Sequence, residues 1–284
     1  MSKETILTFV GASCSDSAIK NAIEMAENSD AHLSIVIIAA APALYSYGYG
    51  SAYGGYADVH HWTEKVKELG DALDERSEHI EKLVQTAHIS AEILKEYCEV
   101  ATMAPALARY ANVADRVVLL EGGGIDSDVE DAIISSVIFG SPIGLIKGKD
   151  SHLAASDPKH ILIAWDSTKH AAAAVQNALP LLDKAEQVTI AIFDPVNHEN
   201  ADGEEPGADL ASRLSRRGCK VTVEQYPSGG EEIATCIMKR AAEKGADLVV
   251  MGGYGHMKLR QQVFGGTTQT MLKQSKIPVF IAHK

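Results

Sequence analysis

Cysteine is scarce and scattered in this chain. Cys14, Cys98, Cys219 and Cys236 are four residues in 284, with no CxxC pair among them. That spacing excludes a disulfide framework and a thiolate zinc site, and four ordinary reduced thiols are expected. Long apolar runs are lacking too: nothing approaches the roughly 18 consecutive apolar residues of a membrane span. The start, Met1-Ser2-Lys3-Glu4, carries no basic segment, apolar stretch and small-residue cleavage site, so a cytoplasmic location is expected. Positive charge is in deficit, with 26 Lys and Arg against 38 Asp and Glu and a formal net charge of −12. Such a chain repels nucleic-acid phosphates and anionic membranes unless its basic residues cluster. The densest basic group, Arg213 with Arg216-Arg217, is cut short by Gly218 and reads as a helix end. Neither nucleic acid nor membrane is an expected partner.

What is present is length and repetition. The chain is long for one domain and comfortable for two of about 140 residues each. Ile6-Leu7-Thr8-Phe9-Val10, a helical pattern through Ala26, and Leu33 to Ile38 are matched later by Ile161 to Trp165, an Ala-rich stretch from about Ala171 to Pro180, and Val188 to Phe193. Ala114 to Leu119 echoes Ala246 to Met251, and Ser141 to Ile146 echoes Ile277 to Ile281. Four landmarks in one order imply a duplicated unit. The join falls in 147–159, a charged, small-residue stretch with Pro158 that reads as a linker. Thr63 to His88 shows apolar residues near 3.6-residue spacing and is read as a helix. Val- and Ile-rich strands without polar alternation are buried on both faces, which implies an α/β fold with a mostly parallel sheet covered by helices. Ligands of such sheets lie beyond the carboxyl ends of the strands, where strand order reverses.

The chemistry concentrates in Val249-Val250-Met251-Gly252-Gly253-Tyr254-Gly255, followed nine residues later by Gly265-Gly266-Thr267-Thr268. A strand runs into a glycine-rich loop that opens a helix near Gly266. Glycines let backbone N–H groups approach a ligand, and a helix N-terminus adds free donors and positive potential, so phosphate is the natural guest. Thr267 and Thr268 offer hydroxyls there, and Lys258 or Arg260 supplies counter-charge. The plainer alternative is a tight turn without a ligand.

The spacing Gly252-x-x-Gly255-x9-Gly265 resembles the nucleotide-binding signature of ATP-binding universal stress proteins, and the order of elements extends the resemblance over nearly the whole chain. It implies two doubly wound domains, each a mostly parallel five-stranded sheet flanked by helices, over residues 1–148 and 156–284. It implies that Met251, Gly252 and Gly255 line the ribose and phosphate path and that Gly265, Gly266 and Thr267 hold phosphates. It places Asp166, behind Ala164 and Trp165, near adenine and ribose; read alone, Asp166 is equally a helix N-cap. Gly266 departs from the family, which usually has Ser or Thr there. The family often pairs through its last strand, which two halves of one chain would also satisfy; a homodimer is expected because symmetric dimers are the commonest assembly.

In the first half Gly11 stands at the position of Asp166, Leu120 replaces the first glycine, and Glu121 precedes Gly122-Gly123-Gly124. Asp115 to Pro142 spans 27 residues where Asp247 to Pro278 spans 31. That half is read as a degenerate, non-binding partner. Its insert 43–62, with five tyrosines, interleaved glycines and His60-His61-Trp62, reads as a loop packed over its own domain, or as a lid or contact surface. Ser228-Gly229-Gly230-Glu231 reads as a capping box, and Ser13 to Ser17 as a strand-to-helix turn with a cap.

The expected function is regulatory: a stress-response protein binding an adenine nucleotide, ATP alone or as its Mg2+ complex, in the C-terminal half. No catalytic residue and no metal ligand is assigned, and hydrolysis is at most slow. The alternatives are a phosphohydrolase or adenylyl transferase using Asp166 and His256, and an interaction module that binds no nucleotide. Gly252→Val is expected to abolish binding by filling the phosphate approach.

Overall fold

Ten short strands alternate with nine helices along the described chain, which comprises residues 4–42, 55–195, 205–253 and 266–284 of a computed structural model. The first half runs β1 (Thr5–Gly11), α1 (Asp16–Ser29), β2 (His32–Ala40), α2 (Gly55–Ala87), β3 (Ala91–Cys98), α3 (Ala104–Ala111), β4 (Arg116–Leu119), α4 (Ser127–Gly140) and β5 (Gly144–Lys147). After α5 (Ser151–Ser156) come β6 (His160–Ala164), α6 (Lys169–Leu182), β7 (Gln187–Phe193), α7 (Ala208–Arg216), β8 (Val221–Tyr226), α8 (Ile233–Lys244), β9 (Leu248–Gly252), α9 (Gly266–Gln274) and β10 (Val279–Ala282).

The strands form one sheet in the order β3-β2-β1-β4-β5-β10-β9-β6-β7-β8. Counted outward from the centre, both halves follow the same order. Within each half every pairing is parallel. The halves meet at β5 and β10, which pair antiparallel with Phe280 opposite Ile146. The two five-strand sets are therefore one continuous sheet rather than two. Gly144 is required at this seam, because a Cβ there would lie 2.1 Å from the Phe280 ring.

Alternation along each strand feeds two apolar layers. Ile6, Val10, Ile161, Ile163, Val250 and Phe280 point to one face, with α1, α2, α5, α6 and α7. Leu7, Phe9, Leu162, Val249 and Met251 point to the other, with α3, α4, α8 and α9. Period-two strands buried on both sides make the all-apolar runs of the sequence, and helices cover both faces as those runs require. Both layers cross the seam, so the halves share one core.

The two halves correspond in atomic detail. The Asp115 carboxylate accepts from the Thr5 N–H at 2.7 Å, and the Asp247 carboxylate accepts from the Lys159 N–H at the same distance. Each aspartate thus anchors the entry of the first strand of its half. The expected linker is not loose. It contains α5, whose Ala154 and Ala155 are buried; the Ser151 hydroxyl donates to the Leu119 carbonyl at 2.8 Å, and Arg116 donates to the Ala155 carbonyl. Pro180 does not end α6 but lies inside its last turn. Residues 55–62 of the insert are the start of α2 rather than a loop; 43–54 lie outside the described residues. All four cysteines are free.

Candidate functional site

Strand order reverses at β6, which has β7 on one side and β9 on the other, so the crevice of interest lies beyond the ends of β6 and β9. Ala164 closes β6 between Met251 and Ala191. The Trp165 N–H continues the ladder to the Ala191 carbonyl at 2.9 Å, and its half-buried ring packs on the core. The chain then turns through Ser167 at φ 57° into α6. The N-cap of that helix is Thr168, whose Oγ1 accepts from the Ala171 N–H at 3.2 Å. Asp166 is therefore not the cap. Its Oδ1 accepts from both the N–H and the hydroxyl of Thr168, at 3.1 and 2.7 Å, and its side chain stays exposed at the crevice mouth.

Across the crevice, Met251 is buried and Gly252 ends β9. A Cβ on Gly252 would lie 2.5 Å from the Ala171 nitrogen and 2.6 Å from the His170 carbonyl carbon. This glycine is demanded by the close approach of β9 to the first turn of α6. Gly252→Val would drive a side chain into that helix and disturb the fold, so the variant cannot isolate ligand binding.

The Gly253 N–H donates to the Ala282 carbonyl at 2.8 Å, and its own carbonyl lies 2.8 Å from His283 Nδ1. His283 stacks on buried His170 at 4.2 Å between centroids and meets Phe139 of α4 edge-on at 5.2 Å. Burial, then the neighbouring His283 and Lys169, hold the His170 pKa below the ordinary histidine range, against a smaller opposing pull from Asp166. None of these rings stands out in the sequence, where isolated histidines carry no spacing signal.

Gly255 and Gly265 lie outside the described residues, as do Lys258, Arg260 and His256. The chain resumes at Gly266, the first residue of α9, with Thr267 half-buried and Thr268 buried. Among the described residues, a Cβ on Gly266 would meet one atom within reach, Oε1 of Glu232 at 4.0 Å. That carboxylate, unremarked in the sequence, accepts from the Thr270 hydroxyl at 2.9 Å. Ser228 is not a capping residue for α8: its Oγ accepts from the Gly230 N–H, and the N-cap is Glu232. Among the described residues, no group of three or more His, Cys, Asp or Glu is placed to hold a metal ion.

The corresponding crevice of the first half is shut. The Gly11 N–H donates to the Gly123 carbonyl at 2.7 Å, and the Ser15 N–H to Gly122 at 2.9 Å. A Cβ on Gly11 would lie 1.8 Å from the Gly124 oxygen, so no aspartate fits at this position. Gly122 and Gly124, at φ +76° and +66°, fold the loop back onto the turn after β1. Ser15 caps α1 as the sequence suggests, accepting from the Ala18 N–H at 3.1 Å. Arg76 of α2 reaches over the same turn, 3.1 Å from Cys14 Sγ and 2.8 Å from Asp16. A cavity of about 300 Å3 remains to one side, beyond the ends of β4 and β5, with the Glu130–Lys147 ion pair in its wall.

Residues 158–283 match the universal stress protein family model. A universal stress protein of a Synechocystis strain is 35% identical over 66 residues, covering 23% of this chain and 22% of that protein, about a fifth of its length. A universal stress protein structure from Archaeoglobus fulgidus superposes with a TM-score of 0.62 over 98% of each chain, at 15% identity. One from Pseudomonas aeruginosa superposes with a TM-score of 0.55 over 99% of this chain and 94% of its own, at 13% identity. Among the described residues, no helix is long and apolar enough to cross a membrane. The family match thus rests on the C-terminal segment, while from end to end the chain has the fold of solved universal stress proteins.

Proposed function

We propose that this chain is a regulatory protein of the cytoplasm that binds one adenine nucleotide, ATP, in the crevice between β6 and β9, with Asp166 at the base and ribose and Met251, Gly252 and the start of α9 along the phosphates. The observation that carries this reading is the contrast between the two crevices. In the first half the glycine loop is bonded onto the turn after β1. In the second half Asp166 stands exposed at the mouth, and among the described residues only Glu232 Oε1, at 4.0 Å, comes near the point where a Gly266 side chain would start. A helix N-terminus favours phosphate through its free N–H groups and dipole. Binding acts by favouring whichever packing of the halves holds the nucleotide better. Any hydrolysis is slow, since a bound Mg2+ triphosphate needs little help to be cleaved at a low rate.

Denaturing extraction of purified protein with chromatography of the released nucleotide, followed by ATP titration calorimetry, tests the reading. The expected result is about one nucleotide per chain. Gly266→Asp is the informative variant. Its carboxylate would stand beside that of Glu232, so urea denaturation is followed in parallel, and like-charge repulsion should weaken binding of free ATP, titrated in EDTA, about tenfold or more. No released nucleotide and no heat with millimolar ATP and Mg2+ would replace this reading with the interaction module. The antiparallel seam already joins β5 and β10 within one chain, so the proposed homodimer would use another face; sedimentation equilibrium reads the mass.

A further inference from the structure

We infer that the cavity beyond the ends of β4 and β5 is a receptor for a free α-amino acid, held by its ammonium and its carboxylate together. The cavity measures about 300 Å3, at the small end of ligand pockets, and every residue that lines it is described. Lys147 and Glu130 meet in its wall at 2.7 Å, their side chains 21% and 31% exposed. Lys147 is out of character for its place. It stands opposite Leu119 in β5, where the second half sets fully buried Ile281 opposite Met251. A lysine in a central strand gives up hydration that packing alone does not return.

The glycine loop adds donors. Gly123 and Gly124 aim their carbonyls at the turn after β1: the first accepts from the Gly11 N–H at 2.7 Å, the second from the Ser13 hydroxyl at 3.3 Å. In a trans peptide the next N–H points the opposite way, so the N–H groups of Gly124 and Ile125 face away from β1. β4 lies between β1 and β5, and that opposite side is where the cavity opens; both residues line it. Neither N–H has an acceptor among the described residues.

Charge decides the class of ligand. Glu121 and Glu130 balance Lys147 and Lys149 around the cavity. A bare anion would draw Lys147 away and leave the Glu130 carboxylate unpaired, and a bare cation would strand the lysine; either is costly in a partly buried place. A zwitterion exchanges both partners at once. Its carboxylate takes Lys147 and the two N–H groups, and its ammonium takes Glu130.

Calorimetric titration of the full chain with each common L-amino acid, at millimolar concentration and without nucleotide, tests the assignment. At least one is expected to bind, and its deamino acid and its decarboxylated amine to bind about tenfold more weakly, since each lacks one charged hydrogen bond. Glu130→Gln should erase the preference over the deamino acid, and Lys147→Gln the preference over the amine, each to within about threefold. If either single variant loses its cooperative unfolding transition, the double variant, which leaves no charge unpaired, should bind the amino acid about tenfold more weakly. No binding by any amino acid overturns the assignment. So does an analogue that binds as tightly as the amino acid, and so do preferences or affinity unchanged in the variants. Each of these outcomes leaves the nucleotide reading standing.

Discussion

Two glycines that look alike in the sequence do opposite work. Gly252 has no room for a methyl group, with the Ala171 nitrogen 2.5 Å from a Cβ, whereas among the described residues nothing comes nearer than 4.0 Å to a Cβ on Gly266. Neither has the positive φ that would strain an alanine, so the difference is purely steric. Gly252→Ala is expected to cost about 1–3 kcal/mol through backbone displacement, and Gly266→Ser to stay within about 0.5 kcal/mol of wild type; urea denaturation compares them. Equal losses would mean that β9 and α6 accommodate the methyl group freely. The glycine motif was legible in the sequence, but the reason for each glycine was not, because periodicity says nothing about which backbone passes overhead. Asp166 and Glu232 follow the same pattern. The first was visible as a carboxylate after a strand, and the second acquired interest only when α8 and α9 came together.

At the scale of elements, the first turn of α6 holds more than its cap. His170 lies there, buried at 8% exposure and stacked on His283. Its pKa is lowered in the fold, by burial first, so the folded protein prefers the neutral ring. As pH falls through the unfolded value of about 6.5, the unfolded chain takes up this proton before the folded one. The stability from His170 is therefore present above that pH and lost as pH drops toward the folded value. His170→Phe should flatten the decline of the urea midpoint between about pH 7 and 5; an identical decline in both proteins would assign it elsewhere. Boundaries of elements were less legible than their existence. The capping box at Ser228 failed because Gly229 and Gly230, at φ +63° and +87°, turn the chain before α8 begins. The helix of the insert starts early, at Gly55, and the Trp62 Nε1–H bond to the Pro42 carbonyl at 2.7 Å braces its first turns, a tertiary contact that no local pattern announces.

For the whole molecule, the decisive feature is the seam. Phe280 is fully buried in the gap that Gly144 leaves, in register with Ile146. Phe280→Ala should cost about 3–5 kcal/mol. Because both apolar layers continue through β5 and β10, calorimetry should show one cooperative unfolding transition for wild type and variant. Two separated transitions would show that the halves fold as independent units. The repeated order of elements and the strands buried on both faces were determined by the sequence alone, since each depends on local order, spacing and periodicity. That the halves fuse into one ten-stranded sheet, that the first crevice is shut by its own backbone, and that a carboxylate from α8 stands beside α9 were decided only by the tertiary structure. Those facts depend on contacts between residues distant along the chain, where small differences in close approach decide whether a crevice closes.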